Sequence, residues 1–199
     1  MTTAGSFNGA FYETKAIDFS LQYLLDMGRA GTLTTRLLAT WYDEQKFQNN
    51  KLAAVQNILG QTGSGNSFLN DNQPTAKWRG NLIVSWTQGP VSITPNARFV
   101  GHGIQDYTYP TTLFYAGSNV KNYVPSYVIF GLNGTYTAEN VPGLKGLQLY
   151  AQVDNILNKR PPVTFGGGAF GVSNGTGGTN PVFFDTIGLA YRLGLRLTF

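Results

Sequence analysis

The chain's one histidine, His102, stands between Gly101 and Gly103 at the end of a predicted strand, and there is no cysteine anywhere. One imidazole without thiols builds neither a His-rich metal site nor a convincing nucleophile–base pair, so His102 is expected to be a solvated loop-rim residue. Asp18 and Asp26 share one side of a predicted strand. Eight residues of extended chain put them roughly 26 Å apart, too far for paired acid–base work. The tract Gly166-Gly167-Gly168 through Gly175, Gly177 and Gly178 lacks the Gly-Lys-Ser/Thr ending and the strand–loop–helix setting of a phosphate cradle, and reads as loop. No enzyme, metal or cofactor is expected. The residues with chemical character are the rings of one predicted loop, Tyr107, Tyr109, Phe114 and Tyr115, which could stack on sugars or flat chelates with little rotamer entropy to lose. Tethering of that loop to itself or its neighbours is the competing role.

The elements that must position these residues are strands. From Asp185 to Phe199 the odd positions read Ile187, Leu189, Tyr191, Leu193, Leu195, Leu197 and Phe199, and the even ones Thr186, Gly188, Ala190, Arg192, Gly194, Arg196 and Thr198. A period of two with one greasy side predicts a half-lipidic strand, and the segment exceeds the ~10 tilted residues that cross a bilayer. The same alternation recurs around Ile17–Leu25, Leu33–Trp41, Trp78–Trp86, Val91–Phe99, Val128–Tyr136 and Leu147–Val153, giving seven strands. Arg36, Arg79, Arg98, Arg192 and Arg196 all fall on the polar side of the alternation, where an enclosed aqueous or protein-filled lumen accepts them and lipid does not.

Composition agrees. Charged residues are only 12% against 14% aromatics, and apolar runs such as Leu82-Ile83-Val84 are short, far below the ~20 residues of a membrane helix. The net charge of +4 is carried by scattered single cations, so no nucleic-acid partner is expected. Short links at 28–31, 88–90 and 138–145 alternate with long ones at 45–76, 102–122 and 158–182, the pattern of tight periplasmic turns and extended outer loops. The first long link is expected to be a loop packing on itself, with a short helix carrying Leu52, Val55, Ile58 and Leu59 on one side as the alternative. Trp78 and Trp86, about 26 Å apart along one strand face, are expected at the two rims of an apolar band. Tyr136, Tyr191 and Phe199 are further lower-rim aromatics. The segment Met1-Thr2-Thr3-Ala4-Gly5 carries no secretory signal, as a truncated product of an exported protein would.

Two stretches are more specific. Val153-Asp154-Asn155-Ile156-Leu157-Asn158-Lys159-Arg160-Pro161-Pro162, followed by Phe184-Asp185-Thr186-Ile187-Gly188 and Tyr191 through a terminal Phe199, resembles the last two strands of TonB-dependent outer-membrane receptors. Phe184 stands where Tyr is usual there, and Leu189 where Arg is frequent. The resemblance implies an all-β, antiparallel, up-and-down transmembrane β-barrel segment of about seven strands. Residues 1–199 would be the C-terminal part of a barrel of about 22 strands, incomplete and without the plug. It further implies energy-coupled uptake of ferric siderophores, cobalamin or oligosaccharides across the outer membrane of a Gram-negative cell, with the C-terminus periplasmic. The implied partners are membrane lipid, the barrel assembly machinery through the terminal strand, and TonB through the absent plug alone. Another barrel such as a porin, or a soluble β-sandwich binding domain, are the alternatives.

Overall fold

A computed structural model describes residues 11–48, 51–63, 74–107, 121–139, 141–164 and 178–199. It contains strands β1 (Phe11–Asp26), β2 (Thr32–Gln48), β3 (Gln56–Asn57), β4 (Trp78–Gln88), β5 (Val91–Val100), β6 (Tyr127–Glu139), β7 (Gly146–Asp154) and β8 (Ala190–Thr198), with one 3-10 turn at Gly28–Ala30. All pair antiparallel in a single sheet of order β1-β2-β4-β5-β6-β7-β8, and the short β3 pairs with the far end of β2. No α-helix occurs among the described residues. Each long strand lies beside its chain neighbours, the up-and-down arrangement that short reversing links permit.

Turn chemistry fixes the short-link end. At Gly31 φ is +92° and an added Cβ would sit 2.2 Å from the Thr87 carbonyl oxygen, so only glycine lets the β1–β2 turn nest against the end of β4. Gly89, at φ +54°, supplies the reversal between β4 and β5 ahead of Pro90.

Register then assigns the faces. Asp18, Thr40, Arg79, Val100 and Tyr127 form one row across the sheet, and Ser20, Leu38, Asn81, Arg98 and Ile129 the next. Arg36 lies in row with Gln22, Ile83 and Asn96, Arg192 with Gln152, and Arg196 with Gln148. The five arginines therefore share one face. The opposite face holds rows such as Leu21–Leu37–Leu82–Ala97–Phe130, and from Ile17 to Leu25 on β1, Leu33 to Trp41 on β2, and throughout β4 to β8 it carries no charged side chain.

Nothing packs on that apolar face among the described residues: Phe19 is 48%, Leu21 57% and Leu193 73% exposed. The buried residues lie instead on the arginine-bearing side, where Val100 and Tyr127 meet Ala76, Val124, Phe183 and Phe184 from the long connections. β1 and β8 each pair with one strand only, and both run from the long-connection end toward the short-link end.

One alternative is excluded and one expectation needs correction. The segment around Leu52, Val55, Ile58 and Leu59 is not helical: Gln56 and Asn57 are extended against Phe47 and Lys46, Ile58 is wholly buried, and Leu52 is 99% exposed. Extended pairing supplies backbone partners that an isolated single helical turn would lack. The last strand begins at Ala190 rather than Asp185. Asp185 accepts a hydrogen bond from the Ile187 amide, Asn158 from that of Leu189, and Gly188 turns to φ +81°, so Ile187 and Leu189 alternate in sequence without being in the ladder.

Candidate functional site at the loop-covered end of the polar face

Three long connections converge over the end of the arginine-bearing face, and buried carboxamides tie them together. Asn122 accepts from the amides of Gln105 (2.8 Å) and Asp106 (3.0 Å) and donates to the Asp106 carbonyl (2.8 Å). Gln61 accepts from the Tyr107 amide at 3.0 Å, and Gln45 of β2 from that of Thr75 at 2.8 Å. Asn180 donates to the Gly63 carbonyl at 2.8 Å, and its own carbonyl accepts from Phe183 and Phe184, which turns both rings onto the sheet. Phe184 meets Tyr127 edge-on at 5.6 Å. An amide side chain can donate and accept at once, so it satisfies irregular buried backbone that no ladder reaches.

The stretch singled out by sequence, Val153 to Pro162, holds one side of this layer through Asn155 and Lys159. Asn155 is 1% exposed with φ +49°, a left-handed conformation that asparagine tolerates better than most residues. Its side chain accepts from the Lys159 amide (2.8 Å) and donates to the Lys159 carbonyl (3.0 Å) and to Asp185 (3.1 Å). Tyr127 donates its hydroxyl to the Lys159 carbonyl at 3.0 Å, with the Lys159 ammonium 5.5 Å from its ring centre. These residues staple the β7–β8 connection to β6.

Tyr107 belongs to the same layer. Its hydroxyl donates to Gln56 at 2.7 Å, its ring packs on Phe47 and Ile58, and burial, then the nearby Asp106 carboxylate, pushes its phenol pKa up. Tethering is thus the role its contacts show. Tyr109, Phe114 and Tyr115, and the glycines from 166 to 177, lie outside the described residues. His102 is exposed, 6.0 Å from the Tyr123 ring, and no cluster of three or more His, Asp or Glu able to hold a metal occurs among the described residues.

Below the layer, a cleft of about 260 Å³ opens on the polar face between Thr40, Arg79, Asn81, Arg98, Val182 and Phe183. Arg36, Arg192 and Arg196 lie on the same face farther from it.

On the apolar face the aromatics mark two levels. Trp78 pairs with Trp41 and their rings are 6.2 Å apart, with Phe19 at 6.4 Å from Trp78. Trp86 lies at the other end of β4 and donates its indole N–H to the Ala30 carbonyl at 2.8 Å. Tyr136 pairs with Leu149 near the short-link end, and Phe199 follows β8 there. Tyr191 does not join them: it pairs with Val153 at the start of β8, the end away from Phe199, which corrects its lower-rim placement.

Sequence reasoning missed a polar boundary above Trp41. The pairing steps from Ala16–Tyr42 to Lys15–Glu44, leaving Asp43 as a bulge. That extra residue flips the parity of β2 and brings Glu44 and Lys46 to the side of Glu13 and Lys15, with ion pairs Lys15–Glu13 at 3.3 Å, Lys15–Glu44 at 2.7 Å and Lys46–Glu44 at 2.5 Å. The signal was the clustered opposite charges, obscured because strict alternation puts the two pairs on opposite faces.

No family model and no curated protein matches the chain. Among solved structures, the siderophore receptor PiuA from Acinetobacter baumannii matches at 18% sequence identity and a TM-score of 0.41, over 76% of this chain. The match spans 19% of the length of that receptor chain.

Proposed function

We propose that the chain forms part of the wall, with its outer loops, of an outer-membrane β-barrel that takes up bulky scarce solutes in a TonB-coupled manner. The carrying observation is the uncharged, uncovered face. Phe19, Tyr23, Phe99, Phe130 and Tyr136 are each between 37% and 55% exposed, so at about 150–250 Å² per ring these five alone leave on the order of 450 Å² of aromatic surface open. A soluble monomer rarely tolerates more than a few hundred Å² in one patch, and the leucines add to it. Lipid is the solvent that suits this face. The band from the Ile17–Trp41–Trp78 row to the Leu25–Leu33–Trp86 row is eight residues tall, ~26 Å along the strands and roughly 20 Å after a tilt near 40°, close to the ~25 Å of a barrel's apolar belt. The ion-paired Glu13, Lys15, Glu44 and Lys46 begin immediately beyond it.

Edge direction supports a partial wall. β1 and β8 run the same way, so an all-antiparallel closed barrel needs an odd number of further strands between them. Neither self-closure nor two copies in one membrane orientation meets that condition, and bare edges in hydrocarbon cost several kcal/mol per backbone group. In this reading the short links and C-terminus face the periplasm, the amide-tied loops face outward, the assembly machinery engages β8, and TonB acts through a plug outside residues 1–199. Tyr109, Phe114 and Tyr115 keep their role as ligand-stacking candidates, and no catalytic step is assigned.

Expressed alone, the chain should pellet from aqueous buffer and regain strand dichroism only in detergent or vesicles. A stable, water-soluble monomer in sedimentation would refute the wall. The transport step is tested by deleting residues 11–199 from a full-length parent receptor: undiminished solute uptake would refute it.

A further inference from the structure

We infer that the cleft between β2, β4, β5 and the Val182–Phe183 turn is a binding site for a small oxyanion, a carboxylate or phosphate group, held by Arg79 and Arg98. The site rests on the barrel-wall reading, which makes this face a lumen. Arg98 pairs with Asn81 in register and Arg79 with Val100, so the two arginines are diagonal neighbours, with Cβ atoms roughly 7–8 Å apart on one face. Guanidinium groups at that spacing can close on one multi-oxygen anion from two sides.

Among the described residues no carboxylate forms an ion pair with either arginine. The ion pairs among the described residues all belong to the Lys15–Glu44 group on the other face. Asp18 and Asp185 lie beyond ion-pair distance of both arginines and are oriented by neutral donors. Asp18, in the row of Arg79 but two strands away, accepts the Thr40 hydroxyl at 2.7 Å. Asp185 accepts from Asn155 at 3.1 Å and from the Ile187 amide at 3.0 Å. Two like charges placed side by side on the wall of a cleft of about 260 Å³ repel each other, and an anion between them removes that cost.

The surroundings complete the recognition. Asn81 adds a neutral polar group from β4, and Phe183 stands over Arg79, its ring centre 6.0 Å from the guanidinium carbon. That ring and Val182 offer a flat apolar flank, suited to an anion carried on an apolar or aromatic body. Phe183 is itself fixed by the Asn180 turn and the buried core with Phe184 and Tyr127, so the flank is preorganised.

Citrate and inorganic phosphate, titrated into the full chain refolded in detergent, are the probes. The readout is the 15N signal of the Nε group of each of the seven arginines, Arg29, Arg36, Arg79, Arg98, Arg160, Arg192 and Arg196. Saturable shifts confined to Arg79 and Arg98 are expected, with citrate affinity falling roughly tenfold in R79Q or R98Q, the loss of one charge-assisted contact, and unchanged in R196Q. Non-saturating shifts spread over all seven arginines, or wild-type citrate affinity retained in both R79Q and R98Q, would overturn the site while strand dichroism in detergent leaves the wall standing. A chain without strand dichroism in detergent overturns the wall and the site together.

Discussion

The strand wall and the layer folded over its loop end are stabilised by opposite means. The wall between the Ile17 and Leu25 rows has ladder hydrogen bonds and an apolar face on which nothing packs among the described residues. The loop layer has almost no ladder, and it is buried and cross-tied by Gln45, Gln61, Asn122, Asn155 and Asn180. The wall's stability is therefore borrowed from the surrounding solvent, while that of the layer is internal. The difference teaches where each kind of substitution should act: outward charges break the wall in lipid, and lost carboxamides loosen the layer whatever the solvent.

The largest effect is expected from Leu82→Arg, which places a cation mid-band on the outward face. It should cost about 2–4 kcal/mol of folding into vesicles, measured by urea titration. The adjacent Asn81→Asp on the polar face, which places a charge opposite Arg98, should stay within ~0.5 kcal/mol. Equal losses from the two neighbours would erase the distinction between the faces. Next comes Asn155→Ala, which removes three hydrogen bonds and the residue type suited to φ +49°. Roughly 1–3 kcal/mol is expected, read as faster amide exchange at Phe183, Phe184 and Lys159 with the exchange of Leu37 and Leu82 unchanged. Uniform acceleration across the wall would show that layer and wall unfold as one unit.

The same division explains what the amino-acid sequence made legible. Where one face is uniformly apolar, alternation is a sufficient code, and all seven long strands and the shared face of the five arginines follow from it. Alternation carries no information about where the ladder stops: Ile187 and Leu189 continue the pattern, yet Asp185, Asn158 and Gly188 hold them in a turn. It also fails at the Asp43 bulge, where one residue reverses the parity of β2. The loop layer was least legible, because glutamine and asparagine in a polar loop look solvated until the backbone groups they satisfy are placed. Asn155 stood out only through its resemblance to a family motif, and Asn122 and Asn180 carried no signal at all.

The smallest effect probes whether the sheet has any packing of its own on the arginine-bearing side. Gly194 of the edge strand β8 pairs with Tyr150, and a Cβ built there would meet the Tyr150 ring and hydroxyl at 2.2 Å, so the tyrosine lies across the glycine. A ring laid on a bare glycine restores contact that an edge strand otherwise lacks. Two terms oppose each other in Gly194→Ala. A strand interior gains roughly 0.5–1 kcal/mol when glycine is replaced by alanine. Against this, the ring must swing off, and because its tip is the free end of a side chain with two torsions it can do so without moving backbone. The net change should lie within about 0.5 kcal/mol, whereas Tyr150→Ala, which uncovers Gly194 with no compensating gain, should destabilise more than Gly194→Ala in the same vesicle titration. If Gly194→Ala proves the more damaging of the two, the ring is held in place by more than the glycine, and the inner side of the wall is packed as the loop layer is.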